Sequence, residues 1–167
     1  MLEIHSRKSQ KQRQKAADLF RDGKNAVLFS SDVSARGMDY PDVTFVLQVG
    51  LTERASYIHR LGRTARAGKK GKGCILLAPY EKFHMAQKEL TGLPLEAVPV
   101  PDDGGRSDGI ADQALGNVDR DEALRLSAEQ AYRAWLGYYN GALRKCGWDK
   151  KELVVQANFW AKEIGLK

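Results

Sequence analysis

Residues 57–66, which read YIHRLGRTAR, carry the residue types best suited to binding a phosphate group. On a helix with about 100° between successive residues, His59, Arg63 and Arg66 fall on one face, whereas Arg60 points elsewhere. Two arginines on one edge repel each other unless an anion lies between them, and a guanidinium group binds phosphate through a planar fork of N–H donors. The spacing therefore predicts a phosphate clamp, with a solvated basic helix as the alternative.

A second candidate segment, residues 30–39, reads SSDVSARGMD. It directly follows residues 26–29, a short apolar run typical of a strand buried on both faces. Ligands of parallel sheets bind at the carboxyl ends of the strands, and short polar residues with a glycine suit a loop whose backbone N–H groups bind phosphate oxygens. The alternative is a polar connection between a strand and a helix that binds nothing.

A third and weaker signal is residues 10–13, QKQR, at the predicted start of a helix. Positive side chains and helix N–H groups at such a position can hold a nucleic-acid backbone. Residues 68–73, GKKGKG, are rich in glycine but lack the Lys and Ser/Thr of a P-loop. His5, His59 and His84 are too dispersed for a metal site, so no metal is expected.

Strand and helix signals alternate through the first half of the chain. Ser9 and Gln12 form a capping box that begins a helix running to Asp22. The remaining signals predict strands at 2–5, 26–29, 43–49 and 74–78, and helices at 54–66 and 80–90. This order predicts an α/β fold with a parallel sheet flanked by helices.

The second half has a different pattern. Residues 94–118 contain several prolines, glycines and aspartates and are predicted to form a linker or mobile loop. Residues 119–167 are predicted to form a helical extension, with Ser127 capping one helix and Asp149 the next. The aromatic residues of these helices are predicted to be core rather than a ligand site.

Charge is unevenly distributed along the 167 residues, whose net charge is +6. Residues 1–79 hold 15 Lys and Arg against 7 Asp and Glu, whereas residues 80–167 hold 12 against 14. The basic half indicates a polyanionic partner, with a solvated basic face as the alternative. The sequence has no apolar run of about 18 residues, which excludes a membrane-spanning helix, and its two cysteines are too few for a disulfide framework.

Both long candidate segments resemble motifs of a known family. SSDVSARGMD and YIHRLGRTARAG resemble motifs V and VI of the DEAD-box ATP-dependent RNA helicases, in the family's order and spacing, with VLQVG between them. HSRKSQKQR, upstream, resembles an RNA-binding motif and a Gln-x-x-Arg element of the same family. The resemblance covers residues 1 to about 90.

The resemblance implies that residues 1–93 are the second RecA-like domain of such a helicase, truncated at the N-terminus. Arg63 and Arg66 would be arginine fingers that reach the γ-phosphate of ATP, and His59 would contact the first RecA-like domain. That absent domain would hold most of the ATP and Mg²⁺, so the isolated fragment is expected to be inactive. Asp39 and Gly37 would contact the nucleotide. The residues implied to bind RNA are Ser6, Gln10, Arg13, Ser31, Asp32 and Arg36.

Two residues depart from the family pattern, because Ser6 and Ala65 stand where glycine is usual. The Gly-Met-Asp form of motif V and the helical extension resemble fungal and plant mitochondrial RNA chaperones of the family. A mitochondrial location is therefore expected, with the nucleus or cytoplasm as alternatives. Two other functions stay open at this point: a stand-alone module that binds duplex RNA without catalysis, and a helicase-like scaffold for protein interactions.

Overall fold

The computed structural model describes residues 1–32, 40, 43–66, 68–86, 90–99 and 106–166. Residues 106–108 are described by their backbone alone. The chain divides into two compact units, Met1–Leu93 and Pro94–Lys167.

The first unit begins with a strand, a helix and a second strand. Strand β1 (Leu2–Ile4) pairs in parallel with β2 (Leu28–Ser30), and helix α1 (Gln10–Asp22) connects them. The predicted capping box at the start of α1 is confirmed, since Ser9 N donates to Gln12 Oε1 over 2.9 Å and Gln12 N donates to Ser9 Oγ over 3.3 Å. A small core, centred on the buried Ile4, Ala17 and Tyr40, packs α1 onto these strands.

The same unit contains a second pair of strands. Strand β3 (Phe45–Val49) runs parallel to β4 (Lys72–Leu76), and helix α2 (Arg54–Leu61) lies between them in sequence. The Gln48 side chain, 3% exposed, donates from Nε2 to Tyr57 O over 3.2 Å and so ties α2 to one face of β3. The predicted parallel pairing is confirmed, although the strands begin and end at different residues.

The apolar runs predict strands that are buried on both faces, and this prediction is wrong for the described residues of β2 and β3. Phe45, Leu47 and Val49 are between 52% and 68% exposed, and Phe29 on β2 is 59% exposed. Successive strand side chains point to opposite faces, and α2 covers the face of Gln48. In this chain, a continuous apolar run therefore predicts that a strand forms, but it does not predict which face of the strand is covered by other elements.

The helices after β3 and β4 are shorter than predicted. Helix α2 ends at Leu61 rather than at residue 66, because Thr64 forms a parallel bridge with Val43 and Ala65 takes a φ of 56°, outside the helical region. The segment predicted as a helix over residues 80–90 contains a 3-10 helix (Pro79–Ala86), and residues 87–89 lie outside the described part of the chain.

The second unit consists of three helices: α3 (Arg106–Gly116), α4 (Glu122–Cys146) and α5 (Lys150–Glu163). Predicting a linker or mobile loop over residues 94–118 was therefore wrong for α3, where helix formers such as Ala111, Ala114 and Leu115 outweigh the aspartates and glycine. Helix α4 is capped by Asp121, whose carboxylate accepts from two backbone N–H groups, rather than by Ser127, which lies inside the helix.

Aromatic rings join α4 to α5. Trp135 stacks on Trp160 with ring centroids 5.4 Å apart and 14° between the planes, and Trp135 also lies 4.5 Å from the Tyr139 ring. These contacts confirm that Trp135, Tyr139 and Trp160 pack among the helices of the extension. Tyr138 and Phe159, in contrast, are 49% and 62% exposed. Among the described residues, no helix is both long enough and apolar enough to cross a bilayer.

The turn that leads from α2 into β4 requires a glycine at position 71. A Cβ on Gly71 would collide with Thr64 Oγ1 and lie 2.6 Å from Ala65 N. Thr64 Oγ1 donates to Val43 O, so a side chain at position 71 would push against the bridge that holds the end of the phosphate-binding candidate segment.

We expect Gly71→Ala to lower the free energy of unfolding of the β3–β4 region by about 1–3 kcal/mol, because the added carbon overpacks this contact. Gly137→Ala is the matched control: position 137 lies in α4 with open space around it, and alanine should stabilise that helix by about 0.5–1 kcal/mol. Native-state amide hydrogen exchange in β4 and α4 measures both effects. Equal protection of β4 in the wild type and Gly71→Ala would contradict the close approach.

Candidate functional site

The two long candidate segments are joined by an ion pair. Arg60, on the last turn of α2, donates from Nε to Asp32 Oδ1 over 2.7 Å and from Nη2 to Asp32 Oδ2 over 2.8 Å. Asp32 stands two residues after β2 ends, and the side chains of Arg60 and Asp32 are 26% and 58% exposed. A bidentate guanidinium–carboxylate pair fixes orientation as well as distance, so α2 and the loop after β2 are aligned with each other.

Sequence reasoning missed this role for Arg60 and assigned Asp32 to RNA. A signal for the pair was present in the sequence. Asp32 is an acidic residue in one candidate segment, and Arg60, in the other, was assigned no role because it points away from the face of His59 and the other arginines. Arg60 binds both carboxylate oxygens of Asp32. The Asp32 side chain therefore joins the two segments.

Arg63 and Arg66 lie beyond the end of α2, so the prediction that they share a helix face with His59 is wrong. Arg63 Nε donates to His59 O over 3.3 Å, and Arg66 Nε donates to Gly62 O over 2.8 Å. Both side chains thus fold back onto carbonyl groups at the carboxyl end of α2, which is the negative end of the helix dipole. Both arginines are half-buried, whereas the His59 side chain is exposed on the last turn of α2.

Tyr40 lies close enough to Arg63 for the two groups to interact electrostatically. The Tyr40 ring is 4% exposed and meets the Phe20 ring edge-on, with centroids 5.2 Å apart. Burial raises the pKa of the Tyr40 phenol above its ordinary value, while the positive charges of Arg21 and Arg63 act in the opposite direction. Arg63 therefore lies near the core that α1 forms with β1.

The loop after β1 and the loop after β2 lie side by side. The parallel register places Ile4 beside Ser30, and Ser31 N donates to Ile4 O over 3.1 Å. Ser31 is thereby held beside the start of the loop that contains Ser6, and both residues are exposed. Two of the residues predicted to bind RNA are thus brought to one end of the β1–β2 sheet.

Gln10 and Arg13 occupy the first turn of α1. Gln10 is exposed, and Arg13 is half-buried, with its Nε buried and without a hydrogen-bond partner among the described residues. Near them, the Lys8 ammonium pairs with Glu3 and, through its hydrogen bond and charge, lowers the pKa of that carboxyl. The first turn of α1 holds no acidic residue, and Lys11 and Arg13 lie there beside the Lys8–Glu3 pair.

Three predicted site residues, Arg36, Gly37 and Asp39, lie outside the described residues. Across the ranges that the structure describes, no three His, Cys, Asp or Glu side chains form a group that could hold a metal ion.

Residues 1–68 match the family model of the helicase conserved C-terminal domain. Almost the whole chain is similar to plant proteins. It is 46% identical over 166 residues to the probable DEAD-box ATP-dependent RNA helicase 48 of Arabidopsis thaliana, covering 99% of this chain and 20% of that protein. It is 48% identical over 165 residues to the DEAD-box ATP-dependent RNA helicase 26 of Oryza sativa subsp. japonica, covering 98% of this chain and 29% of that protein.

The fold is similar to that of solved structures of the DEAD-box helicase Mss116. In the complex of Mss116 with ssRNA and UDP-BeF, the similarity covers 98% of this chain and 32% of that chain, with a TM-score of 0.72 and 24% identity. Domain 2 of Mss116p bound to an RNA duplex gives a TM-score of 0.71 at 23% identity, covering 98% of this chain and 62% of that one.

These similarities agree with the parallel strand pairs and with the two motif segments joined by Arg60 and Asp32. The chain spans less than a third of the length of the plant relatives described above. Residues 1–68 are therefore similar in sequence to helicase conserved C-terminal domains, and the chain is similar in fold to solved structures of a DEAD-box helicase.

Proposed function

We propose that this chain supplies the second RecA-like domain of an ATP-dependent RNA helicase, in which Arg63 and Arg66 reach the terminal phosphate of ATP. The observation that carries the proposal is the bidentate Arg60–Asp32 pair, because it holds motif VI against motif V. The names of the similar plant proteins, which are ATP-dependent RNA helicases, support the same activity.

In this proposal the two arginines stabilise charge that develops during phosphoryl transfer. The companion RecA-like domain would hold most of the ATP and the Mg²⁺, which would supply neutralising charge at the phosphate oxygens. Arg63 and Arg66 start from the carboxyl end of α2, where backbone carbonyls already fix their Nε atoms. Guanidinium groups that are oriented before the reaction need little reorganisation when the phosphate arrives. His59 faces the companion domain, and Gly37 and Asp39 contact the nucleotide.

RNA binds, in the same proposal, at the end of the β1–β2 sheet and at the start of α1. The exposed hydroxyl groups of Ser6 and Ser31 donate to phosphate oxygens, since the Ser31 N–H already binds Ile4 O. Gln10 and Arg13 flank the strand. The exposed Lys11 and the neighbouring positive residues attract the backbone without reading its sequence. Asp32 takes part through its main chain, since Arg60 binds its carboxylate, and Arg36 adds a further phosphate contact.

A second candidate function is a duplex-RNA-binding module that works without catalysis. It is favoured by the excess of positive charge in residues 1–79 and by the fold similarity to a helicase domain 2 whose structure contains an RNA duplex. The two functions differ in whether Arg63 and Arg66 affect ATP turnover.

We expect Arg63→Ala and Arg66→Ala, each made in the complete helicase, to lower RNA-stimulated kcat for ATP hydrolysis by at least about 100-fold. RNA affinity should stay within about twofold of the wild type, since the arginines contact ATP rather than RNA in this proposal. Arg125→Ala, which removes an exposed α4 arginine paired with Glu129, is the matched control and should leave kcat unchanged. Wild-type turnover in both finger variants would contradict the catalytic role and favour the binding module.

RNA binding by this chain should weaken steeply with salt. With about three phosphate contacts, a fourfold rise in salt should lower the affinity for duplex RNA about 40-fold. Lys11→Ala should reduce the slope of log Kd against log salt by about 0.9, the value for one phosphate contact. Lys151→Ala, a change in the second unit, should leave the slope unchanged. Fluorescence anisotropy at several salt concentrations measures these slopes. Salt-independent binding, or no binding at low salt, would contradict the proposed RNA surface.

We also propose that the complete protein acts as a general RNA chaperone in mitochondria. Support comes from the Gly-Met-Asp form of residues 37–39 and from the helical extension that follows the RecA-like domain. A fluorescent fusion of the complete protein should co-localise with a mitochondrial marker, and its loss should reduce splicing of several unrelated organellar introns. Fluorescence in the nucleus or cytoplasm alone would contradict the location.

A further inference from the structure

Four polar side chains are buried where β3 and β4 end. Gln48, Thr52, Glu81 and His84 are each 7% exposed or less. We call this group the strand-end cluster. Buried polar groups cost free energy unless they are hydrogen-bonded, so each one present in a small domain calls for a structural explanation.

His84 binds the loop between β3 and α2. Its Nε2 accepts a hydrogen bond from Thr52 N over 3.2 Å in a buried contact 32 residues apart in sequence. This contact requires a lone pair on Nε2, which an imidazole nitrogen offers only when it carries no proton. The Phe83 ring lies edge-on to the His84 ring, with centroids 6.5 Å apart.

Glu81 lies on the 3-10 helix that carries His84, and its side chain binds the segment after β4. Its Oε2 accepts from Ala78 N over 2.8 Å, just after β4. Its Oε1 lies 3.6 Å from the point where a Cβ on Gly50 would stand, just after β3, and Gly50 takes a φ of 78°. Glu81 thus binds the segment after β4 and lies beside Gly50, the residue that follows β3.

The Thr52 contact lies at the start of α2. Glu53, the N-cap of α2, makes no capping hydrogen bond with its side chain, so the helix start depends on contacts from elsewhere. Arg54 Nη1 donates to Thr91 O over 2.9 Å, but this contact is exposed. His84 therefore gives the start of α2 a buried anchor, and Gln48 gives its middle another through Tyr57 O.

We propose that His84 is a positioning residue for the arginines of motif VI: by accepting from Thr52 N, it sets the placement of α2 and hence of Arg63 and Arg66 at its far end. The inference rests on the proposed function, since it assigns His84 an effect on ATP turnover. It needs no contact between His84 and ATP or RNA. A small shift of a group that stabilises a transition state lowers the rate far more than it lowers binding.

The test compares His84→Met with His84→Gln in the complete helicase. Methionine and glutamine are similar in size and shape, but only glutamine keeps a strong hydrogen-bond acceptor near the position of Nε2, since a thioether sulfur accepts weakly. We expect kcat for RNA-stimulated ATP hydrolysis to fall at least about tenfold in His84→Met and to stay within about threefold of the wild type in His84→Gln. The KM for ATP and the Kd for RNA should change less than about twofold in both variants. Lys82→Ala, an exposed change on the same 3-10 helix, should leave all three values unchanged.

A second measurement needs no variant and does not depend on catalysis. Scalar coupling between the ¹⁵N nuclei of Thr52 N and His84 Nε2, recorded by NMR on the wild-type chain, reports the hydrogen bond directly. We expect a resolved coupling, together with faster exchange of the Thr52 amide in His84→Met than in His84→Gln. Absence of the coupling would overturn the inference, as would equal kcat in the two variants when the wild type turns over normally. A wild type without RNA-stimulated turnover would instead contradict the proposed function.

Discussion

The pair between Arg60 and Asp32 connects two parts of the chain that lie 28 residues apart in sequence. One part is the loop after β2 and the other is the last turn of α2, so the pair joins the strand–helix unit of β1, α1 and β2 to that of β3, α2 and β4. The partly exposed position limits its contribution to stability, since ion pairs near solvent add at most about 1 kcal/mol. Its importance is geometric, because two parallel hydrogen bonds fix the direction of α2 relative to the loop.

The placement of Arg63 and Arg66 follows from how α2 ends. A helix leaves its last carbonyls without partners, and here two of the carbonyls near the end of α2 accept from the arginine side chains that follow. The same residues thus satisfy the end of the helix and orient two guanidinium groups. This arrangement depends on the sharp departure of the chain at Thr64 and Ala65, which the bridge to Val43 enforces. A helix continued to residue 66 would have placed the arginines elsewhere.

Much of the fold followed from local signals in the sequence. The capping box of Ser9 and Gln12, the end of α1 at Asp22 and the parallel strands were predictable because each depends on residues close in sequence or on a short apolar run. The end of α2 was not predictable from periodicity, since it depends on the Thr64–Val43 contact across 21 residues. Helix α3 was obscured by nearby prolines and glycines, and Asp121 rather than Ser127 caps α4 because the helix begins six residues earlier. Of the candidate site, the motif segments were recognisable, but the pairing of Arg60 with Asp32 required the tertiary structure.

The central claim is that the paired motif segments direct Arg63 and Arg66 to the terminal phosphate of ATP. A crystal structure of the complete protein with RNA and a non-hydrolysable ATP analogue tests it most directly. The account predicts that the Arg60–Asp32 pair persists and that at least one nitrogen of each finger guanidinium lies about 3 Å from an oxygen of the terminal phosphate. A closed complex in which Arg63 and Arg66 contact only carbonyl groups of their own domain, with the phosphate bound by other residues, would contradict the account.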